Sequence, residues 1–511
     1  MNNTIQLYTD EKKEIKGYPI TSPDRVIDEN GISIKQQLDN IDKYIYYVNA
    51  IDLNLIEGAD NTEKLQECLN DLQDNSILII PNGVYKAKNL TLNSKKNITI
   101  NILGTLKHAD DNTSTPSNIL LIENCENINI YGKFDGNILN NIDNLNEFKH
   151  CLKISSSNNI EGEIECNNIT GDGVYITNSN YVYFKSVKCE NTSYSGRNAV
   201  SIISGKNIRI DYLKSIKIGR NDMPGGIDLE PNHKNETIDN VRIGIYEIDT
   251  IGTGSPVANI HGGTCNNIYI DTVNYKINDG CKGSSSFYLC GVSNVTINYL
   301  NIYGSLKNTN VLIDTCSNIV INNLNSTNGN YGLYLKDNDN IKVKGIIENI
   351  KSHGVEFTGN NSNIILDMVI KNCNCLNDGY GFAIRFASNA IFDNVKIMGD
   401  LSKYGNTMKG IHSDVKNTIN NVILENCKFN NYDNQAYILS NTLGGVLDKI
   451  NCEGLTTSKN SPTAGTWKSG DIVKNTSSFN VIEDDTNNLL YYVEGWVYDG
   501  AKFREIKKYI K

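Results

Sequence analysis

Asn294-Val295-Thr296-Ile297, Asn318-Ile319-Val320-Ile321 and Asn340-Ile341-Lys342-Val343 decide the fold, because the same phrase recurs along most of the chain. Further copies stand at Asn97-Ile98-Thr99-Ile100, Asn127-Ile128-Asn129-Ile130, Asn207-Ile208-Arg209-Ile210 and Asn267-Ile268-Tyr269-Ile270, and the refrain fades after Asn421-Val422-Ile423-Leu424. Neighbouring copies lie roughly 22–33 residues apart, the period range of solenoids. Each copy alternates with period 2, so it is a short strand with one face inward and one outward. A strand this short cannot bury its apolar face alone. Stacked coil on coil, identical strands close a continuous core, and the pattern therefore predicts a parallel β-helix.

A second short strand precedes most copies. Examples are Gly173-Val174-Tyr175-Ile176, Ala199-Val200-Ser201-Ile202, Gly226-Ile227-Asp228-Leu229, Gly332-Leu333-Tyr334-Leu335 and Gly354-Val355-Glu356-Phe357. A turn bearing Gly or Asn separates the two strands of a coil, and a variable loop returns the chain. A β-sandwich would need antiparallel meanders with Asn-Gly hairpins, and few such signatures have matching flanks.

Composition bounds the partners. The chain has 511 residues, 39% hydrophobic, with a formal net charge of −10. That balance argues against nucleic acid, whose phosphates select a basic face, and against anionic lipid surfaces. Of thirteen cysteines, Cys125, Cys265 and Cys316 stand two residues before a refrain asparagine. They read as small thiols buried at one inward turn rather than as disulfides, which implies folding in a cytosol. The stretch Met1 to Asp10 has neither a basic n-region nor an apolar h-region, so no signal peptide is expected. No apolar run reaches the ~18 residues needed for membrane insertion.

Four segments are expected. Residues 1–50 hold Pro19 and Pro23 in an extended stretch, then Ile34, Leu38, Ile41, Ile45 and Val48 at alternating spacings of four and three. Isoleucine on both core positions of such a stripe favours trimers or tetramers. Residues 51–96 read as a cap: Asp60-Asn61-Thr62 offers N-cap chemistry, and Leu65, Cys68, Leu69 and Leu72 follow at helical spacing. An end coil exposes strand edges and apolar interior, which an amphipathic helix covers. Residues 97–452 form the solenoid. Residues 453–511, with both tryptophans, Trp467 and Trp496, read as a small C-terminal β-module.

The order Asp60-Asn61-Thr62, helix, Ile79-Ile80-Pro81-Asn82-Gly83-Val84-Tyr85, then coils resembles the entry to the pectate-lyase-like right-handed parallel β-helices. Gly17-Tyr18-Pro19-Ile20-Thr21-Ser22-Pro23-Asp24-Arg25 resembles a segment flanking bacteriophage tailspikes of that family, as does Trp467-Lys468-Ser469-Gly470-Asp471 with Gly495-Trp496. Glu57-Gly58-Ala59-Asp60 departs from the usual Gly-Asp-Gly before the cap helix. The resemblance implies an all-β, right-handed solenoid, made in the host cytoplasm and carried in the virion. It also implies a homotrimer, attachment to the phage tail or baseplate through the N-terminal segment, and a bacterial surface polysaccharide or teichoic acid as partner.

The richest chemistry lies in Asn221-Asp222-Met223-Pro224-Gly225-Gly226-Ile227-Asp228-Leu229-Glu230-Pro231-Asn232. Ile227 and Leu229 must face inward, so Asp228 and Glu230 project outward together, their roots roughly 6.6 Å apart. Two carboxyls on one rigid strand suit glycoside hydrolysis, one as protonated acid and the other as base or nucleophile. The expected roles are base or nucleophile for Asp228 and acid for Glu230. Aligning inward Val174, Val200, Ile227 and Ile260 places Tyr175, Ser201, Asp228 and His261 in one outward column, which Tyr288 extends. Asp172, within Gly171-Asp172-Gly173, falls two rungs below Asp228, with Arg197 and Asn198 between them. Asn232 flanks the acids. The expected catalytic set is therefore Asp228, Glu230 and Asp172, with Arg197, Asn198, His261, Tyr175, Tyr288 and Asn232 binding substrate.

No cofactor is expected. Calcium among Asp172, Asp228 and Glu230 is the metal alternative that the resemblance offers, since some pectate-lyase-like enzymes use it. The leading function is a tailspike that hydrolyses a bacterial surface polysaccharide. Alternatives on the same surface are a polysaccharide lyase with Arg197 or Arg220 as base, a teichoic-acid hydrolase and a non-catalytic glycan-binding spike. A groove between subunits would draw on other acids, such as Glu356 or Asp337.

Overall fold

Alternation in sequence becomes alternation of burial in the computed structural model. One inward column, Ile98, Ile128, Ile160, Val182, Ile208, Val241, Ile268, Val295, Ile319, Ile341, Ile364, Val395 and Val422, runs in register through successive parallel pairings. All of these side chains are at most 1% exposed. The structure describes residues 47–49, 54–141, 148–219, 225–251, 255–258, 262–277, 285–374, 381–387, 389–404, 408–414 and 417–430, and strands thereafter.

Each coil contributes one short strand and one long, bent strand. The short ones form a fourteen-stranded parallel sheet from Leu90–Asn93 to Tyr437–Leu439, and the long ones a second parallel sheet. The fold is the right-handed parallel β-helix expected from the sequence. Ten described cysteines are free thiols, nine of them buried.

The refrain asparagine has a structural cause. Asn97, Asn127, Asn159, Asn207, Asn240, Asn267, Asn294, Asn318, Asn340, Asn363 and Asn394 all have φ of 53–58°. Asparagine tolerates this left-handed backbone better than most residues with a Cβ. Their amides also stack: Asn127 Nδ2 donates to Asn97 Oδ1 at 2.8 Å, and Asn340 Nδ2 to Asn318 Oδ1 at 2.6 Å. Tyr181 fills the ladder position between Asn159 and Asn207, with φ 54° and 59% exposure.

The cap helix spans Thr62–Asp71 and buries Leu65, Cys68 and Leu69, with Leu72 just beyond it. Leu65 and Leu69 meet Leu78, Leu90 and Ile100 of the first coils. Asn61 stands at the N-cap, but its side chain turns back to Ile56 and Ala59, and Asp60 Oδ1 takes the Thr62 N–H instead. The heptad stripe is corrected at its end. Val48 lies in the strand Tyr47–Asn49, which pairs in parallel with Ile77–Ile79; the other stripe positions lie outside the described residues. At the other end, the last solenoid strand is Leu447–Ile450, and five strands between Thr457 and Ile510 form a separate, largely antiparallel sheet. Trp467 lies outside the described residues.

Candidate functional site

The strand phase at the acids is as expected. Val174 pairs with Val200 and Val200 with Ile227, so Tyr175, Ser201 and Asp228 occupy one column on the outer face of the short-strand sheet. Ile227 and Leu229 are fully buried in the core. Exposure is not as expected: Asp228 is only 1% exposed, so the picture of two acids projecting freely into solvent is corrected. Glu230, just past the strand, is partly exposed.

A single guanidinium joins the two aspartates. Arg197 Nη1 lies 2.9 Å from Asp172 Oδ2, and Nη2 lies 3.6 Å from Asp228 Oδ2. Asn198 spans the same pair: its backbone N–H donates to Asp172 Oδ1 at 3.2 Å and its Nδ2 to Asp228 Oδ2 at 3.1 Å. Its side chain also reaches Ser201 Oγ at 3.0 Å, while its Oδ1 accepts the Gly225 N–H at 3.2 Å. Asp172 and Asn198 are fully buried. The sequence therefore brings together Asp172, Arg197, Asn198 and Asp228, two coils apart at the extremes.

Environment splits the two carboxyls. Burial alone would raise Asp172, yet Arg197 and His150 outweigh it and hold the group below the usual carboxylate range. Burial pushes Asp228 up to about 8; Glu230 and Asp172 add negative charge, and Arg197 with Asn198 only partly offset it. Asp228 Oδ1 is buried without a hydrogen-bond partner, an unusual state for a buried polar atom. These surroundings favour the protonated form of the Asp228 carboxyl at neutral pH.

His150 is the functional neighbour that sequence reasoning missed. Its Nδ1 lies 3.2 Å from Asp172 Oδ2 and 3.3 Å from the Asp172 backbone nitrogen. The signal was positional: His150, Asp172, Asn198 and Gly225 each stand two residues before the first inward residue of successive short strands, Leu152, Val174, Val200 and Ile227. His150 also stacks on Tyr175, ring centroids 4.5 Å apart, so one face of that tyrosine is already covered. Lys153 lies over the Tyr175 ring at 5.3 Å, and burial pushes the Tyr175 hydroxyl up to about 12.

The expected alignment of His261 is corrected. Leu229 pairs with Val257, so Ser255–Ala258 forms the next rung and Ile260 falls beyond it. Pro256 within that run reads as a breaker of central strands, which disguised it. His261 itself lies outside the described residues. Tyr288 does extend the column, pairing with Pro256, and is partly exposed. Asn232 stays outside the cluster; its backbone N–H donates to Glu236. Calcium does not fit the expected ligands, because Arg197 already stands between Asp172 and Asp228. Among the described residues no set of three His, Cys, Asp or Glu side chains is placed to hold a metal ion. A shallow cleft of about 240 Å³ lies elsewhere, on the long-strand sheet, lined by Tyr131, Lys133, Glu163, Glu165 and Ser186 among others.

No protein-family model matches the chain, and no curated protein sequence matches it. Solved structures do. The A-module of mannuronan C-5 epimerase AlgE6 from Azotobacter vinelandii is 11% identical at a TM-score of 0.35, over 80% of this chain and 98% of that one. The Yersinia enterocolitica family 28 exopolygalacturonase is 11% identical at a TM-score of 0.30, over 80% and 77%. PfbA, a surface adhesin of Streptococcus pneumoniae, is 11% identical at a TM-score of 0.25, over 90% and 98%. Likenesses this distant carry no activity over to this chain.

Proposed function

We propose that the chain is a polysaccharide depolymerase that hydrolyses a glycosidic bond on the outer face of the short-strand sheet. Asp228 is the general acid and Glu230 the base or nucleophile. The carrying observation is the buried, protonated Asp228 carboxyl with its unpartnered Oδ1, beside an ionised Asp172. Glycoside hydrolysis needs a protonated acid beside a second carboxyl, and Glu230, two residues beyond Asp228 and partly exposed, is the carboxyl that can meet substrate. Arg197 and Asn198 position the acid through direct contacts, and Asp172 positions Arg197. A guanidinium keeps its proton at ordinary pH, which weighs against a lyase using Arg197 as base.

The wider setting is part of the same proposal. A bacteriophage tailspike, homotrimeric, anchored to the virion through residues 1–50 and acting on bacterial surface polysaccharide, rests on the resemblance of the flanking segments. Light scattering that returned a particle of 56.8 kDa would refute the trimer.

Hydrolysis is tested by incubating the purified chain with envelope polysaccharides from a panel of bacteria. New reducing ends that vanish in Asp228→Asn support the proposal. An unsaturated product absorbing in the near ultraviolet would show a lyase, and released phosphate esters a teichoic-acid hydrolase. The 1% exposure of Asp228 favours one second reading, a spike that only grips glycan; retention of polysaccharide without new ends would establish it.

A further inference from the structure

We propose that Glu356, Arg385 and Asp414 form a second glycan-binding centre, so that one polysaccharide free of acidic groups lies along the short-strand face from Asp228 to Arg385. The inference rests on the polysaccharide reading of that face and adds its extent and the charge of its substrate. Parallel pairings carry the outer column onward from Tyr288 through Leu312, Tyr334, Glu356 and Arg385 to His412. Glu356 stands five rungs from Asp228, roughly 24 Å at the usual strand spacing. Tyr288, Leu312 and Tyr334 between them are all partly exposed. The two tyrosines, two rungs apart, offer rings to sugar faces.

The second centre is built as firmly as the first. Arg385 Nη1 lies 3.4 and 3.3 Å from the two oxygens of Glu356, which is 5% exposed, and Nη2 lies 2.7 Å from Asp414 Oδ2. His412 Nε2 lies 2.8 Å from Asp414 Oδ1, and its ring stacks on Phe382 with centroids 4.5 Å apart. His412 Nδ1 is shielded and has no hydrogen-bond partner. His353 Nδ1 accepts the Phe382 N–H, and His353 Nε2 faces Glu356 at 3.6 Å. Both Glu356 oxygens are engaged by the guanidinium, so this centre grips rather than cleaves.

Charge selects the polymer. Along the column Arg197 is matched by Asp172, Arg385 by Glu356 and Asp414, and Lys336 by Asp314 at 3.0 Å. Lys153, three rungs before Asp228, lies outside this span and keeps its charge over the Tyr175 ring. The short strands from Ile227–Leu229 to Phe382–Phe386 carry no cation besides Lys336 and Arg385, so a uronate or phosphodiester repeat would bring further negative charge to their carboxylates, and like charge rejects a partner.

The test is retention of the full chain on an array of defined oligosaccharides, neutral, amino-sugar and uronate, from disaccharides to dodecasaccharides. Neutral or amino-sugar chains should be retained, more tightly as they lengthen. Arg385→Ala and Tyr334→Ser should each lose that gain, by roughly tenfold on the longest chains. Tyr334→Ser, at a partly exposed position, decides the matter if Arg385→Ala does not fold. Retention of uronates alone, of no glycan at all, or a length dependence unchanged in Tyr334→Ser would overturn the inference. Retention without cleavage would refute the hydrolase and leave this inference standing.

Discussion

Two clusters on one face share a plan, an acid on either side of a guanidinium, and differ in what remains unused. Around Arg385 the carboxylate contacts are complete: Glu356 gives both oxygens to Nη1, and Asp414 is shared between Nη2 and His412. Around Arg197 one oxygen is left over, Oδ1 of Asp228. Burial raises Glu356 too, against the pull of Arg385, while Asp228 reaches about 8. A saturated ion pair is a rigid handle for a ligand; a buried carboxyl with a spare oxygen is a proton store. On the proposed reading, similar residue types would serve binding in one coil and acid catalysis in another.

The sharpest way to break this contrast is to neutralise each acid. Asp228→Asn should lower the rate of cleavage by about 10²–10⁴-fold, the usual worth of a positioned general acid. Equal loss from Glu356→Gln would erase the distinction.

Stability against pH should also tell the clusters apart. Asp228 titrates near 8 folded against an ordinary value of 3.8, so between those limits the folded state holds a proton that the unfolded state has released. Its stabilising contribution is full below about pH 4 and is lost as pH rises to about 8. The linkage limit is on the order of 5 kcal/mol. Chemical denaturation of Asp228→Asn should therefore show a flatter profile than wild type over that window, and cleavage by wild type should decline above pH 8. A profile identical in the two proteins would place the raised carboxyl elsewhere.

Removing the cation should hurt the two centres unequally. Arg197→Met strands two nearly inaccessible carboxyls and should cost about 3–5 kcal/mol by denaturant titration. Arg385, with its side chain 28% exposed, is better screened, and Arg385→Met should cost about 1–2 kcal/mol. The smallest effect expected is on Glu356→Gln kinetics: KM for long chains should rise by roughly tenfold, the worth of one charged contact, while kcat changes little.

Much of this was legible before any coordinates. Period-2 alternation placed the strands, and the spacing of Val174, Val200 and Ile227 placed Tyr175, Ser201 and Asp228 in one column. Asp172, Arg197 and Asn198 followed from counting rungs. Pro256 hid the next rung and displaced His261 from it, because a proline within a short apolar run looks like an interruption. The stripe ending at Val48 looked helical because apolar spacing of four and three also admits a short strand at its end. His150 was overlooked because a histidine before a strand carries no mark until the strands are stacked.

The residues themselves determined the coil, since a chain with inward aliphatics every second position and asparagine at each left-handed turn has few other ways to bury its core. Only the stacked structure decided the surroundings of the acids. Burial depth, the reach of one arginine across two coils and the oxygen it leaves unbonded are properties of three dimensions, and a carboxyl's proton affinity depends on those surroundings more than on its place in the chain.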